Sequence, residues 1–516
     1  MNLLKAFKAV QTEDLSLEHK IGQCLMPAVF LDDTEEEIAA MEQLIQEYAI
    51  GSLCFFQSRS LAAANVQAKA LTSDEHETEN YLQRLKFLIN RYQGVSPIPL
   101  LIAIDGEWGL SMRLPDQVKF PYALSLGAMQ NQDELIEATA YAIGRECLKA
   151  GVHWNLAPVV DINSEARNPV IGYRSFGGDA QGVIRCATAW TKGLSKAGVL
   201  NSLKHFPGHG DTALDSHLAL PVLDKSQAEL QAQEWLPFKA LLGSADSIML
   251  GHLAAPQLTD GRVEPATLSS TLIQLIRDWG YDGLLISDAL NMKSVSDQFP
   301  EKGSLEEAAF AAGCDVLCFS DHPEEGVVQI KKAVDSIRIN ESFNRIWELK
   351  QKAFESAHSS FAPPLKKQEL LSQLAQQSLT LYHGDATALE AFKQQEPTAY
   401  FFGEQPTDDF REPWPSPIES DAAVVIIQLP SPKPGKGFGL QPEELDHIKR
   451  LLVQKRVWIY LFGNPYFLLE IPWNQSEGIV LLYEKGEAYE EVAIAHFQGK
   501  CKAVGQLPVK LETNED

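Results

Sequence analysis

The chain has 516 residues, more than a single hydrophobic core usually serves, so two domains are expected. A composition of 45% hydrophobic and 22% charged residues is that of an ordinary globular protein. With 69 acidic against 44 basic residues the net charge is -25, which argues against nucleic-acid and anionic-membrane partners, since both need a basic surface.

Residues 1–20 carry charges throughout and lack the apolar centre of a signal peptide. No run approaches the roughly 18 apolar residues of a membrane span. The seven cysteines are scattered, odd in number and mostly set in apolar runs, as expected of free thiols in a reducing compartment. A cytoplasmic address follows as an expectation.

From the N-terminus, eight apolar β-rich runs recur at 24–30, 51–56, 100–105, 152–160, 200–206, 247–252, 283–288 and 315–319. Amphipathic helical stretches such as 35–48, 134–150, 180–197 and 304–312 lie between them. Strand alternating with helix predicts parallel sheet, and eight repeats predict a (β/α)8 TIM-type barrel. A doubly wound sheet is the alternative, but no GxGxxG follows a strand here. The polar residues fall where the strands end: Asp105 and Glu107, Asp161 and Asn163, Lys204 and His205, His252, Asp288, Ser320 and Asp321. In this fold the βα loops converge on that face and carry the chemistry.

At the third strand end, Asp105-Gly106-Glu107-Trp108-Gly109 leads to Arg113. Two acids and an indole suit a sugar, the carboxylates on its hydroxyls and the ring on its face. An acidic loop is the plain alternative. Further on, Pro169 and Gly172 shape a loop in which Arg174 is a planar donor flanked by Tyr173 and Phe176.

The richest stretch is 204–217, Lys-His-Phe-Pro-Gly-His-Gly-Asp-Thr-Ala-Leu-Asp-Ser-His. It places three histidines, two aspartates and a lysine on one loop, a density that points to joint chemistry. Asp215 and His217 are two apart, so in extended chain they project to one side. The carboxylate can then fix the imidazole tautomer and support its charged form. His205 and His209 have the i, i+4 spacing of a helical zinc pair, but Pro207, Gly208 and Gly210 oppose a helix, so no metal and no cofactor is expected. Asp288 closes an apolar strand with no cation near it in sequence; it either meets partners across the barrel mouth or caps the next helix. His252 either supports that group or packs.

Prolines 363 and 364, with Lys366 and Lys367, follow a long helix at 340–357 and mark a boundary. The expected domains are 1–360, a catalytic barrel, and 361–516, a smaller α/β sandwich. The second carries strands at 378–382, 399–402, 423–429, 456–462 and 478–483, with helices at 442–454 and 488–498.

Together, KHFPGHG followed by DSH at 204–217, IDGEWGLSMR at 104–113, NPVIGYRSFG at 168–177 and ISDALNM at 286–292 resemble glycoside hydrolase family 3, in its bacterial β-N-acetylglucosaminidase branch. The resemblance covers about residues 15–350 well and the C-terminal part loosely, through LFGNPYFLL at 461–469. It implies that Asp288 is a nucleophile forming a covalent glycosyl-enzyme and that Asp215 and His217 are an acid/base dyad. Asp105, Arg113, Arg174, Lys204 and His205 would hold the sugar. The implied activity is retaining removal of terminal non-reducing β-linked N-acetylglucosamine, within muropeptide recycling, with an N-acetylglucosamine-containing glycan as the substrate. Two departures stand out. Many relatives read DQEGG where this chain has Asp105-Gly106-Glu107-Trp108-Gly109, which bears on substrate preference. Many read SDDL where it has Ser287-Asp288-Ala289-Leu290, which leaves the nucleophile in place. The rival expectations are a β-glucosidase-type member, whose acid/base comes from the second domain, and a retired sugar-binding barrel.

Overall fold

The computed structural model describes residues 2–59, 80–212, 220–357, 363–415 and 420–511. The chain forms two compact units. The first comprises 1–120, 137–161 and 187–364; the second comprises 121–136, 162–186 and 365–516. The C-terminal unit begins where the proline pair stands, and it also takes in two segments from within the first 360 residues.

In the first unit the strands are β1 (Leu25–Met26), β2 (Ala28–Phe30), β3 (Ser52–Phe56), β4 (Leu101–Ile104), β5 (Trp154–Asn155), β6 (Leu203–Phe206), β7 (Ser247–Leu250), β8 (Leu284–Ser287) and β9 (Leu317–Cys318). All pair in parallel, in the orders β2-β3-β4-β5, β6-β7-β8 and β1-β9. Parallel bridges also join Trp154 to Leu200, Val159 to Lys204 and Ile286 to Val316. Every residue of β4, β6, β7 and β8 is buried, as in parallel sheet covered on both faces. Helices Glu35–Tyr48, Tyr81–Val95 and Ser304–Ala312 alternate with these strands. The first opens with a reciprocal cap, Thr34 and Glu37 each satisfying the other's backbone N–H. Among the described residues no helix is long and apolar enough to cross a membrane.

At the amino end of β9, fully buried Asp315 gathers three arginines. Its Oδ2 meets Arg277 at 2.8 Å, and its Oδ1 meets Arg345 at 3.1 Å and Arg338 at 3.3 Å. Ser342 donates to the same carboxylate at 2.6 Å and the Leu285 N–H at 2.9 Å. One acid thereby ties helices Ser270–Asp278 and Ser336–Ala357 to the start of β8.

The second unit is a five-stranded sheet of β10 (Thr380–His383), β11 (Thr398–Gly403), β12 (Ala422–Gln428), β13 (Arg456–Phe462) and β14 (Gly478–Leu481). Its order is β10-β14-β13-β12-β11, with β10 antiparallel and the rest parallel. Val424, Ile426, Trp458, Tyr460 and Phe462 form its core with the helix Glu487–Phe497. The two captured segments dock on it. Tyr122 N–H donates to Glu484 at 2.5 Å, Asn163 Nδ2 to Tyr466 Oη at 3.2 Å, and Gly178 N–H to the Pro508 carbonyl at 2.9 Å.

Replacing Asp315 by Ala would leave three guanidiniums around a lost carboxylate. We expect a loss of about 3–5 kcal/mol, read as a lower denaturant midpoint by circular dichroism; an unchanged midpoint would remove Asp315 from the stability of the unit.

Candidate active site

The parallel register brings the carboxyl ends of neighbouring strands to one edge, and polar side chains collect there. Asp105 follows β4. Its Oδ1 accepts from Lys204 Nζ at 2.8 Å and its Oδ2 from Arg113 Nη2 at 2.7 Å. Lys204, on β6 and only 1% exposed, reaches Glu107 Oε1 at 2.7 Å as well. Among the described residues, two acids and two bases therefore meet here. The Arg113 guanidinium lies 4.6 Å from the centroid of the Phe56 ring at the end of β3. Its buried Nε–H finds no acceptor among the described residues. Burial alone would raise the Asp105 carboxyl, but the charges of Lys204 and Arg113 and their hydrogen bonds win and hold it well below the usual carboxylate range. The stability this gives is whole above the ordinary carboxylate pKa of about 3.9 and is lost only as pH falls below that toward the folded value.

Beside this cluster, Asp161 is fully buried and accepts from three groups. His205 Nδ1 lies 2.7 Å from Oδ2, the His209 N–H donates to Oδ1 at 2.7 Å, and the His205 N–H approaches both oxygens at 3.2 Å. Burial would raise this carboxyl; the two histidines outweigh it and keep it low, hence ionised. An ionised carboxylate only accepts, so His205 carries a proton on Nδ1. At His209 the Thr212 hydroxyl donates to the His209 carbonyl at 3.1 Å, so Nδ1–H of the ring donates to that hydroxyl at 2.7 Å.

Gly208 turns this loop with φ +123°, where a Cβ would stand 2.9 Å from that of Glu234. Glu234 in turn holds Lys225 at 2.7 Å, and Lys225 holds Asp211 at 2.7 Å. Asp215 and His217 lie outside the described residues; the ion pair of Asp211 and Lys225 joins the chain on either side of them.

Asp288 follows β8 and is half-buried. Its N–H donates to the Leu250 carbonyl of β7 at 2.8 Å, and its Oδ1 accepts the Ala289 N–H at 2.8 Å. It does not cap the next helix, Lys293–Ser296, whose N-cap is Met292. Asp288 and Asp105 act on one thiol, that of Cys318 on β9. Contact with Cys54 and burial push this thiol up, and the two carboxylate charges add to it. His252, beyond β7 and 1% exposed, sits 2.9 Å through Nε2 from the Ala289 carbonyl and 2.6 Å through Nδ1 from Thr267 Oγ1.

Of the residues expected from sequence, Arg113 and Lys204 both touch Asp105, and His205 stands next to Lys204 on the same strand. Asp288 follows β8, whose neighbour β7 pairs with β6, the strand that carries Lys204. Arg174 belongs to the second unit, half-buried at the end of the turn Gly172–Arg174, with Nη1 on the Val170 carbonyl at 3.2 Å. Glu107 and Asp161 are legible in the sequence as strand-end acids and His209 as one of the histidines of the 204–217 stretch; the partners that join Glu107 to Lys204 and Asp161 to His205 and His209, 44 to 97 positions away, are not. Among the described residues no group of three His, Cys, Asp or Glu could hold a metal ion.

Comparison with known proteins places this edge in context. The model of the glycosyl hydrolase family 3 N terminal domain matches residues 16–349. Beta-hexosaminidase A of Pseudoalteromonas piscicida is 34% identical over 351 residues, 62% of this chain but only 56% of that protein's length. A Beta-hexosaminidase of Idiomarina loihiensis is 30% identical over 304 residues, 57% of this chain and 88% of its own. The solved structure of a glycoside hydrolase family 3 beta-N-acetylglucosaminidase from Paenibacillus sp. superposes with a TM-score of 0.76 at 25% identity, covering 96% of this chain and 99% of that one. The residues that gather at the strand ends are thus those of a matched family domain, and the chain belongs to glycosyl hydrolase family 3.

Proposed function

We propose that this chain is a retaining β-N-acetylhexosaminidase that removes terminal non-reducing β-linked N-acetylglucosamine. The observation that carries the reading is the pair of acids that follow two parallel strands: Asp288 after β8, its N–H on the Leu250 carbonyl and its Oδ1 on the Ala289 N–H, and Asp105 after β4, neutralised by Lys204 and Arg113. One is suited to attack, the other to grip hydroxyls. In support of a closed (β/α)8 barrel around them, β1 and β2 form one strand interrupted at Pro27 that pairs with β9 on one side and β3 on the other. Bridges span the two remaining gaps.

In the proposed mechanism an Asp288 oxygen attacks the anomeric carbon while the bond to the leaving oxygen breaks, and His217 gives that oxygen a proton. Water then attacks the glycosyl-enzyme, gives its proton back to His217, and releases Asp288. Asp215 supports the imidazolium. Asp105, Lys204, Arg113 and His205 hold the sugar. An imidazole near neutral pKa can both give and take a proton at the pH of the cytoplasm, where we place the enzyme in muropeptide recycling. Such a step is worth about 10²–10⁴-fold in rate.

Asp288→Ala should abolish turnover of an aryl N-acetylglucosaminide while the circular dichroism spectrum stays that of the folded protein; normal activity in that variant removes Asp288 from the mechanism. His217→Ala should slow substrates with poor leaving groups far more than activated aryl glycosides, and equal losses on both would show that another group supplies the proton. The aryl N-acetylglucosaminide should be cleaved well and the aryl glucoside poorly; the reverse preference would point to the gluco-type activity.

A further inference from the structure

We infer that His252 is a positioning residue for Asp288, an inference that rests on reading Asp288 as the nucleophile. The Ala289 carbonyl can only accept, so the proton of the His252 ring is on Nε2, 2.9 Å away. In the neutral ring Nδ1 is then an acceptor, and the Thr267 hydroxyl at 2.6 Å donates to it. Thr267 is fully buried in the turn Ala266–Leu268, and the Ala266 N–H is bonded to the Leu253 carbonyl at 2.8 Å. The imidazole is thus a rigid strut with one end on the segment after β7 and the other on the chain after β8.

What the strut holds is the peptide between Ala289 and Leu290. Its oxygen is on His252, and its N–H donates to the Cys318 carbonyl of β9 at 3.0 Å. A peptide gripped at both poles cannot rotate, and this sets the direction of the preceding Ala289 N–H. That N–H is the donor 2.8 Å from Asp288 Oδ1, while the Asp288 N–H is tied to Leu250 at 2.8 Å. Three strands therefore define where the carboxylate points, and His252 brings a side chain to these tethers. A core histidine that merely fills space would also be buried, yet it would have no reason to place its proton on the residue adjoining the nucleophile. Displacement of a reacting group by about 1 Å can cost on the order of 10²-fold in rate.

The test uses the full chain with His252→Leu, His252→Gln and Thr267→Val. The readouts are thermal midpoint, kcat and KM on an aryl N-acetylglucosaminide, and the rate of trapping by an activated fluoro-sugar with peptide mapping of the adduct. His252→Leu should lower kcat and the trapping rate on the order of 10²-fold with KM little changed. His252→Gln, whose amide N–H can reach the same carbonyl, should recover most of kcat. A His252→Leu protein that melts lower but keeps wild-type kcat overturns the inference, as does a glutamine variant no faster than the leucine one. If the leucine variant does not fold, Thr267→Val decides: a fall in kcat near the wild-type midpoint supports the strut, and unchanged kcat overturns it. Mapping in the wild-type protein separates the two layers, because an adduct on a residue other than Asp288 rejects the nucleophile itself, whatever the variants do.

Discussion

The structure of the strand-end site depends on one buried ammonium. Lys204 lies 1% exposed between Asp105 and Glu107. Removing an ion from water costs several kcal/mol even after relaxation, and its attraction to partners only offsets this when the geometry is good. A lysine so placed is therefore a poor source of stability and a good source of direction. Because it must be satisfied, it holds two carboxylates from the β4 loop against β6, and Arg113 closes the circuit from the far side of Asp105. Asp161 repeats the logic with opposite sign: one buried acid collects His205 and the backbone of His209 and fixes the first turns of the loop. Charge balance, rather than packing, decides which way these side chains face.

Much of this was legible in the residues. The apolar runs found the strands because parallel strands covered on both faces need unbroken apolar sequence, and helices at 35–48, 180–197 and 304–312 have the expected bounds. The run at 152–160 was less faithful. Only Trp154 and Asn155 form ladder, with a single further bridge at Val159, because Pro158 has no N–H to give. Local pattern also could not show that 121–136 and 162–186 fold with the C-terminal sheet. Their membership rests on partners such as Glu484, Tyr466 and Pro508, hundreds of positions downstream. Arg174, whose loop is stiffened by Asn168 accepting from the N–H groups of Val170 and Ile171, is thereby a product of the second unit rather than of the βα repeat in which its sequence lies.

His252 illustrates a different limit. A single histidine after an apolar strand is equally compatible with packing and with function, since its meaning lies in two groups, Thr267 and the Ala289 carbonyl, that sequence spacing does not connect to it. Only the assignment of a proton to each ring nitrogen distinguishes the two readings, and that assignment follows from what each partner is able to do: a carbonyl must accept, so the hydroxyl must give.

The two proposed catalytic groups face unequal demands, and the chain treats them unequally. A nucleophile must approach the anomeric carbon along one line, so small displacements are costly. Asp288 accordingly sits directly on a strand end, tied through its own N–H and its carboxylate to groups fixed by β7 and β9. A proton carrier must serve the leaving oxygen and then a water at nearly the same place, and its efficiency turns on the match of pKa to pH as much as on position. In sequence the proposed dyad falls between Asp211 and Lys225, which are joined by an ion pair backed by buried Glu234. The residues differ to match: Asp288 ends an unbroken apolar strand that fixes its position, whereas the stretch leading to the proposed dyad carries Pro207, Gly208 and Gly210 and a cluster of titratable groups, a composition suited to setting a pKa rather than a line of attack.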